Sequence, residues 1–222
     1  MIIGNGIMAN ALKSHDKEYV VFFASGVSNS LEKEVSEFER EISLLKSVIS
    51  QNTDKKLIYF STCSIYDPTK TQSPYVIHKL TIEKLIRELC PDFIIFRIGN
   101  AVGHGGNPNT LVNFLKNSIL CGNTLTLHNN AKRLLIGTDD IALFINQYMK
   151  DFNNEIVNLA YPYQYSLPEI LSAMENHLDR KAYYETIEEG SFYNIEFNRF
   201  IKDFFSKISP NEYLKKLYSS YL

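Results

Sequence analysis

The chain has 222 residues, 45% of them hydrophobic and 22% charged, with a formal net charge of −2. That length can bury a large core in one unit, and the balanced charge excludes the basic surface that nucleic acid or an anionic membrane would require. No apolar run approaches the ~18 residues of a membrane span and no basic-then-apolar leader opens the chain, so a cytoplasmic protein is expected.

In chain order, Met1-Ile2-Ile3 is a short apolar strand. Gly4-Asn5-Gly6-Ile7-Met8-Ala9 then reads G-x-G-x-x-A and opens a helix over 7–15. The glycines permit a tight turn and close approach of a pyrophosphate to a helix N-terminus, and the small Ala9 lets helix and strand pack. Tyr19–Ala24 is the next strand. Leu31, Val35, Phe38, Ile42, Leu45 and Ile49 are spaced by four and three, which predicts an amphipathic helix between Ser30 and Ser50. Lys56–Phe60 and Phe93–Phe96 are apolar runs of buried-strand type. Helices are expected over 110–121 and 139–151, and a strand at Ile156–Leu159. Ser166 reads as an N-cap before Leu167-Pro168-Glu169, and the tail is rich in aromatic residues from Phe192 to Tyr218.

Between the two central strands lies the most informative stretch. Tyr75 and Lys79 stand four apart on a helix that runs toward Pro91, thirteen residues after Thr62. At that spacing the two side chains share one face. An ammonium stabilises phenolate and draws a tyrosine from its usual pKa of about 10 toward working pH, which suits proton transfer. The Thr62 hydroxyl, placed opposite, can hold the substrate oxygen. With 14 tyrosines and 23 basic residues such pairs also arise by chance. Tyr66 and Lys70 form one, but Pro68 within it marks a turn. Cys63, Cys90 and Cys121 form no C-x-x-C, which leaves neither a disulfide framework nor a zinc site. Cys63 reads as a small buried residue, His78 as structural or exposed, and Asp139 and Asp140 as helix-start acids. His104, in the turn Gly103–Asn107, lies where a sugar could reach it.

Taken in order, these segments resemble the extended short-chain dehydrogenase/reductase superfamily, in particular its NAD(P)-dependent nucleotide-sugar epimerase, dehydratase and ketoreductase group. The resemblance covers roughly residues 1–180. It implies an α/β fold, a Rossmann-like doubly wound parallel sheet, shortened, with a core over 1–160 and a small C-terminal region over 161–222 that covers the substrate within one compact unit. By the same resemblance Thr62, Tyr75 and Lys79 are catalytic. NAD or NADP would lie against Gly4, Asn5, Gly6, Ile7, Met8, Ala9, Phe23, Ala24, Ser25, Tyr75 and Lys79. A nucleotide-diphosphate sugar would meet Ser64, Asn100 of Arg97-x-x-Asn100-x-x-Gly103, His104, and Arg133 as the diphosphate-binding arginine. The family also implies a homodimer through the Ser30–Ser50 and Tyr/Lys helices.

Two departures matter. No acid follows the glycines by about 20 residues to hold a ribose: either the family's second and third strands are absent, or Val20–Gly26 is a second strand without its acid, and the first is expected because Val20–Gly26 with the helix after it fits a later family segment. Family dehydratases carry an acidic pair where this chain has Cys63 and Ser64, which argues against dehydration. Plain hydride transfer of the 4-ketoreductase or 4-epimerase type is the expected reaction. The alternatives are a non-catalytic dinucleotide- or sugar-nucleotide-binding protein of the same fold and an enzyme acting on a small ketone.

Overall fold

The computed structural model describes residues 1–222. Strand β1 (Ile2–Ile3) leads into helix α1 (Ile7–Leu12), which continues as a single 3-10 turn to His15. Next come β2 (Val20–Phe23), α2 (Val35–Gln51), β3 (Lys56–Thr62), α3 (Pro74–Leu89) and β4 (Phe93–Ile98). Then follow β5 (Asn100–Val102), α4 (Leu111–Cys121), β6 (Thr124–His128), β7 (Lys132–Gly137), α5 (Thr138–Tyr148) and β8 (Glu155–Leu159). The chain closes with β9 (Gln164–Ser166), α6 (Leu167–Leu178), β10 (Tyr183–Ile187), α7 (Arg199–Phe204) and α8 (Pro210–Tyr221).

The main sheet is wholly parallel in the order β1-β2-β3-β4-β8. Its inner strands are apolar on both faces because helices cover both. On one face Val20, Phe22, Ile58 and Phe96 pack with Leu12 of α1 and with Phe144 and Ile145 of α5, in a core of 36 buried residues. On the other, Val21, Phe23, Tyr59 and Ile95 pack with Leu45, Val48 and Ile49 of α2 and with Ile82 and Ile86 of α3. Residues after 161 join the first core through Tyr165, Ile170, Met174, Tyr213 and Leu217. Tyr213 stacks on Tyr161 at 4.1 Å.

The strand order explains the missing ribose acid. β1 is the edge of the sheet, with nothing paired outside it. The links β1-α1-β2 and β2-α2-β3 step the same way across the sheet, yet α1 and α2 lie on opposite faces. The two crossovers therefore have opposite hands, although about 98% of such units are right-handed. No strand lies outside β1 for α1 to lead to, and the chain turns inward to β2.

The amphipathic helix differs from its expectation at one end. Leu31 and Val35 are exposed at 74% and 64%, and α2 begins only at Val35. The buried face from Phe38 onward also contains a carboxylate, Glu41, with no exposed surface. Ser166 caps α6 in a full capping box with Glu169, as its sequence pattern indicates.

Candidate active site

A cleft of about 710 Å³ opens outside the carboxyl ends of β1, β2 and β3, where α1 and α2 diverge to opposite faces. Asn5, Gly6, Ile7 and Met8 line it from the first turn, and Phe23, Ala24 and Ser25 from the end of β2. Thr62, Ser64, Tyr75 and Lys79 line its floor, while Asn100 and Arg133 close the far side. Gly4, Ala9 and His104 are not on this surface. Gly4 and Ala9 support the turn from below, and Ala9 is fully buried. His104 is exposed and packs edge-on against Tyr221 at 5.2 Å, away from the cleft. Gly103 lies against Thr138, and the turn after it returns to the cleft, which Gly106 and Asn107 line while His104 does not.

The two glycines do different work. Gly4 has φ +127°, and a Cβ there would lie 2.4 Å from the Ala24 carbonyl oxygen. Only glycine lets β1 pass so close to the end of β2. A Cβ on Gly6 would meet nothing within 4 Å. Gly6 is the N-cap of α1 in extended geometry, and no side chain caps the helix. Free space beside uncapped N–H groups is what a pyrophosphate requires, so the residues present fit the phosphate part of a dinucleotide. No acidic residue lines the cleft for an adenosine ribose.

Thr62 ends β3, and its Oγ1 accepts the Ser64 N–H at 3.0 Å. That leaves the hydroxyl proton for an oxygen in the cleft. Tyr75 opens α3 one residue after Pro74 and is 7% exposed. Its expected pKa depression is reversed. Burial pushes the phenol up to about 12, with the Thr62 hydroxyl opposing and the Glu41 charge adding to the rise. Lys79 lies one turn on, as its spacing requires, but its Nζ is 5.9 Å from the Tyr75 ring centre. It donates instead to Tyr59 at 2.8 Å and Glu41 at 3.2 Å, so one of its three N–H donors remains. Burial drags its pKa down, and the Glu41 and Glu83 charges oppose that.

The next turn of α3 places Glu83 on the same buried face. Arg97 of β4 grips it through two donors at 2.9 and 2.6 Å, and Ser61 donates to it at 2.6 Å. This bidentate pair locks α3 to the sheet behind the site. Asn100 donates to the Leu134 carbonyl at 2.9 Å, tying β5 to β7 and fixing its position at the cleft wall. Arg133, on β7, makes no ion pair with Asp139 or Asp140. Its Nη1 donates to the carbonyls of Lys132 and Ser191, at 2.8 and 3.4 Å. Asp140 is instead held by Tyr213 and Lys216 at 2.8 and 2.6 Å.

The aromatic tail is expected as a whole to cover the cleft or the core, and Glu41 is not foreseen from sequence. The strap over 188–198 runs beside Arg133, with Ser191 donating to Asp67 at 3.2 Å and the Tyr193 carbonyl accepting from Gln164 at 2.9 Å. Tyr193 itself lines the cleft. The aromatic content of the tail marks the segment, but no periodicity singles out Tyr193 within it. Glu41 could have been found, because Phe38, Glu41 and Leu45 are spaced by three and four on the buried stripe. A carboxylate there needs a buried partner.

Residues 4–160 match the NAD dependent epimerase/dehydratase family, so the chain belongs to that family. No curated protein matches the sequence. Among solved structures, the UDP-N-acetylglucosamine 4-epimerase of Methanobrevibacter ruminantium is 17% identical with a TM-score of 0.70, over 98% of this chain and 80% of its own. The UDP-glucuronic acid 4-epimerase of Bacillus cereus, in complex with UDP-glucuronic acid and NAD, is 18% identical with a TM-score of 0.68, over 91% and 74%. RMD from Pseudomonas aeruginosa, complexed with NADPH, is 12% identical with a TM-score of 0.69, over 91% and 80%. The fold is theirs.

Proposed function

We propose that this protein is an NAD(P)-dependent nucleotide-sugar oxidoreductase of the 4-ketoreductase or 4-epimerase type, with Tyr75 as the acid/base. The observation that carries this reading is the convergence of the open Gly6 turn, the Thr62 and Tyr75 hydroxyls, and the Arg133 guanidinium on one cleft. Asn5, Gly6, Ile7 and Met8 would hold the pyrophosphate of NAD or NADP, with Phe23, Ala24, Ser25 and the remaining Lys79 donor on the nicotinamide side. Bound there, the dinucleotide supplies or accepts the hydride. Thr62 holds the substrate oxygen through its free proton, and Tyr75 gives that oxygen a proton or takes one from it. Arg133 presents free guanidinium donors to a diphosphate, for which a planar fork is well matched. Asn100 and Ser64 flank the sugar. Cys63, beside Thr62, is buried and its thiol is pushed up to about 12, so it takes no part as a thiolate.

The same reading expects a homodimer through α2 and α3. Ile77, Leu80 and Leu89 on α3 and Val35 on α2 are exposed, and sedimentation would settle the state. No helix is long and apolar enough to cross a membrane. The open edge at β1 favours the alternative, a sugar-nucleotide-binding protein without turnover. Fluorescence titration with NADH and NADPH, with calorimetry for the oxidised forms, tests the reading. Binding of one form at micromolar concentration is expected. No response to any of the four at millimolar concentration overturns it.

A further inference from the structure

The carboxylate of Glu41 is enclosed between α2, β3 and α3. It accepts from the Val27 N–H at 2.6 Å and the Tyr59 hydroxyl at 2.7 Å, and it contacts His78 Nε2 at 2.9 Å and Lys79 Nζ at 3.2 Å. Tyr59 accepts in turn from Lys79. Gly26 seals the group, because a Cβ there would lie 2.7 Å from Lys79 Nζ and 2.9 Å from Glu41 Oε1. So dense a set of partners around a carboxylate with no exposed surface is more than helix packing requires. An apolar residue would complete the Phe38–Leu45 stripe without any charge to bury.

The charged and titratable groups around Tyr75 come from three elements. Glu41 faces it from α2, Tyr59 from β3, and Lys79 from one turn further along α3, with His78 bound to Glu41 beside it. Glu83, a turn beyond, is already neutralised by Arg97. The ammonium that should favour a Tyr75 phenolate is therefore in contact with a carboxylate and sits nearer the Tyr59 ring, at 5.0 Å, than the Tyr75 ring.

We propose that Glu41 is a positioning residue of the proton-transfer site: with Tyr59 it holds the Lys79 ammonium at the cleft floor and cancels its charge, so that Tyr75 meets the substrate as a neutral proton donor suited to ketone reduction. This rests on the reading of Tyr75 as the acid/base. In that direction the carbonyl oxygen would gain the Tyr75 proton as its carbon took the hydride that a bound NADH or NADPH would supply. The phenolate then recovers a proton from solvent. Burial and the Glu41 charge, which push Tyr75 up to about 12, accord with this arrangement.

The test needs no substrate. Protein labelled with 13Cζ-tyrosine is titrated from pH 6 to pH 11, the Tyr75 resonance being assigned by its loss in Tyr75→Phe. In the wild type Tyr75 is expected to stay a phenol across the range. In Glu41→Gln it should ionise at least about one pH unit lower, because a repelling charge is gone and an attracting one is unmasked. In Glu41→Gln combined with Lys79→Met it should return to wild-type behaviour. That double variant removes both buried charges, a change that is often neutral for folding, and shows whether the shift in Glu41→Gln comes from the unmasked Lys79. An unmoved Tyr75 in Glu41→Gln, or a double variant that ionises a unit or more earlier than wild type, overturns the proposal. The cofactor titration and the turnover of Tyr75→Phe judge the oxidoreductase reading separately, since neither depends on Glu41.

Discussion

Replacing Gly4 and Gly6 by alanine, one at a time, separates the architecture of the first turn from its chemistry. At Gly4 the added methyl would lie 2.4 Å from the Ala24 oxygen and 2.6 Å from its carbon, at a φ of +127°. Backbone strain of that kind costs about 1–3 kcal/mol, and forcing an atom into packed backbone costs about 1–3 kcal/mol more. The sum, about 2–6 kcal/mol, is a large part of the ~5–15 kcal/mol that holds a domain together. At Gly6 the methyl meets no protein atom, and φ is −77°. Urea denaturation of Gly6→Ala should match wild type within about 0.5 kcal/mol, while Gly4→Ala unfolds at much lower denaturant. NADH or NADPH titration should give the opposite pattern for Gly6→Ala: an intact protein whose affinity falls at least about tenfold, because the methyl occupies the space a phosphate would take. Wild-type affinity in Gly6→Ala would show that the dinucleotide does not cross this turn. Wild-type stability in Gly4→Ala would refute the close approach of β1 to β2.

Other outcomes follow from the same geometry. Tyr75→Phe should lower turnover by about 10²–10⁴ with the melting temperature almost unchanged, and turnover within threefold of wild type would remove Tyr75 from the chemistry. Arg133→Ala should weaken nucleotide-diphosphate-sugar binding roughly tenfold to a hundredfold and leave dinucleotide affinity unchanged; an unaltered affinity in calorimetry would favour a small-ketone substrate. Glu83→Gln leaves Arg97 without its charged partner, so urea unfolding should show a loss of about 3–5 kcal/mol. For acid stability, burial alone would raise the Glu41 carboxyl, but the His78 contact, the Lys79 ammonium, the Val27 N–H and the Tyr59 hydroxyl together hold it at about 2, below its ordinary 4.5. Its contribution, about 3 kcal/mol, is present above pH 4.5 and lost as pH falls toward 2. Glu41→Gln should flatten the pH dependence of urea stability in that window, and an unchanged slope would contradict the assignment.

Much of this site was written locally. G-x-G-x-x-A over 4–9, the Tyr75/Lys79 spacing and the hydroxyl of Thr62 each lie within a few residues of one strand end or helix start. Their placement follows from turn chemistry and helical periodicity alone. The apolar runs of β3 and β4 likewise report burial on both faces. The turn at 103–107 is a different case: it brings Gly106 and Asn107 to the cleft and His104 against Tyr221, a division that a glycine-rich sequence does not record.

What Lys79 does was decided only by tertiary structure. Its position on the Tyr75 face of α3 is a property of the sequence, but its partner comes from α2, 38 residues earlier. Tyr59, 20 residues earlier, reaches it from β3. Periodicity says which residues of a helix are buried, not which buried groups meet, and a pKa depends on the meeting. The same holds for the hand of the β1-α1-β2 link and for the strap that carries Ser191 and Tyr193 beside Arg133. Each is set by which segments pack together, a contest of burial and pairing across the whole chain that no short stretch of residues records.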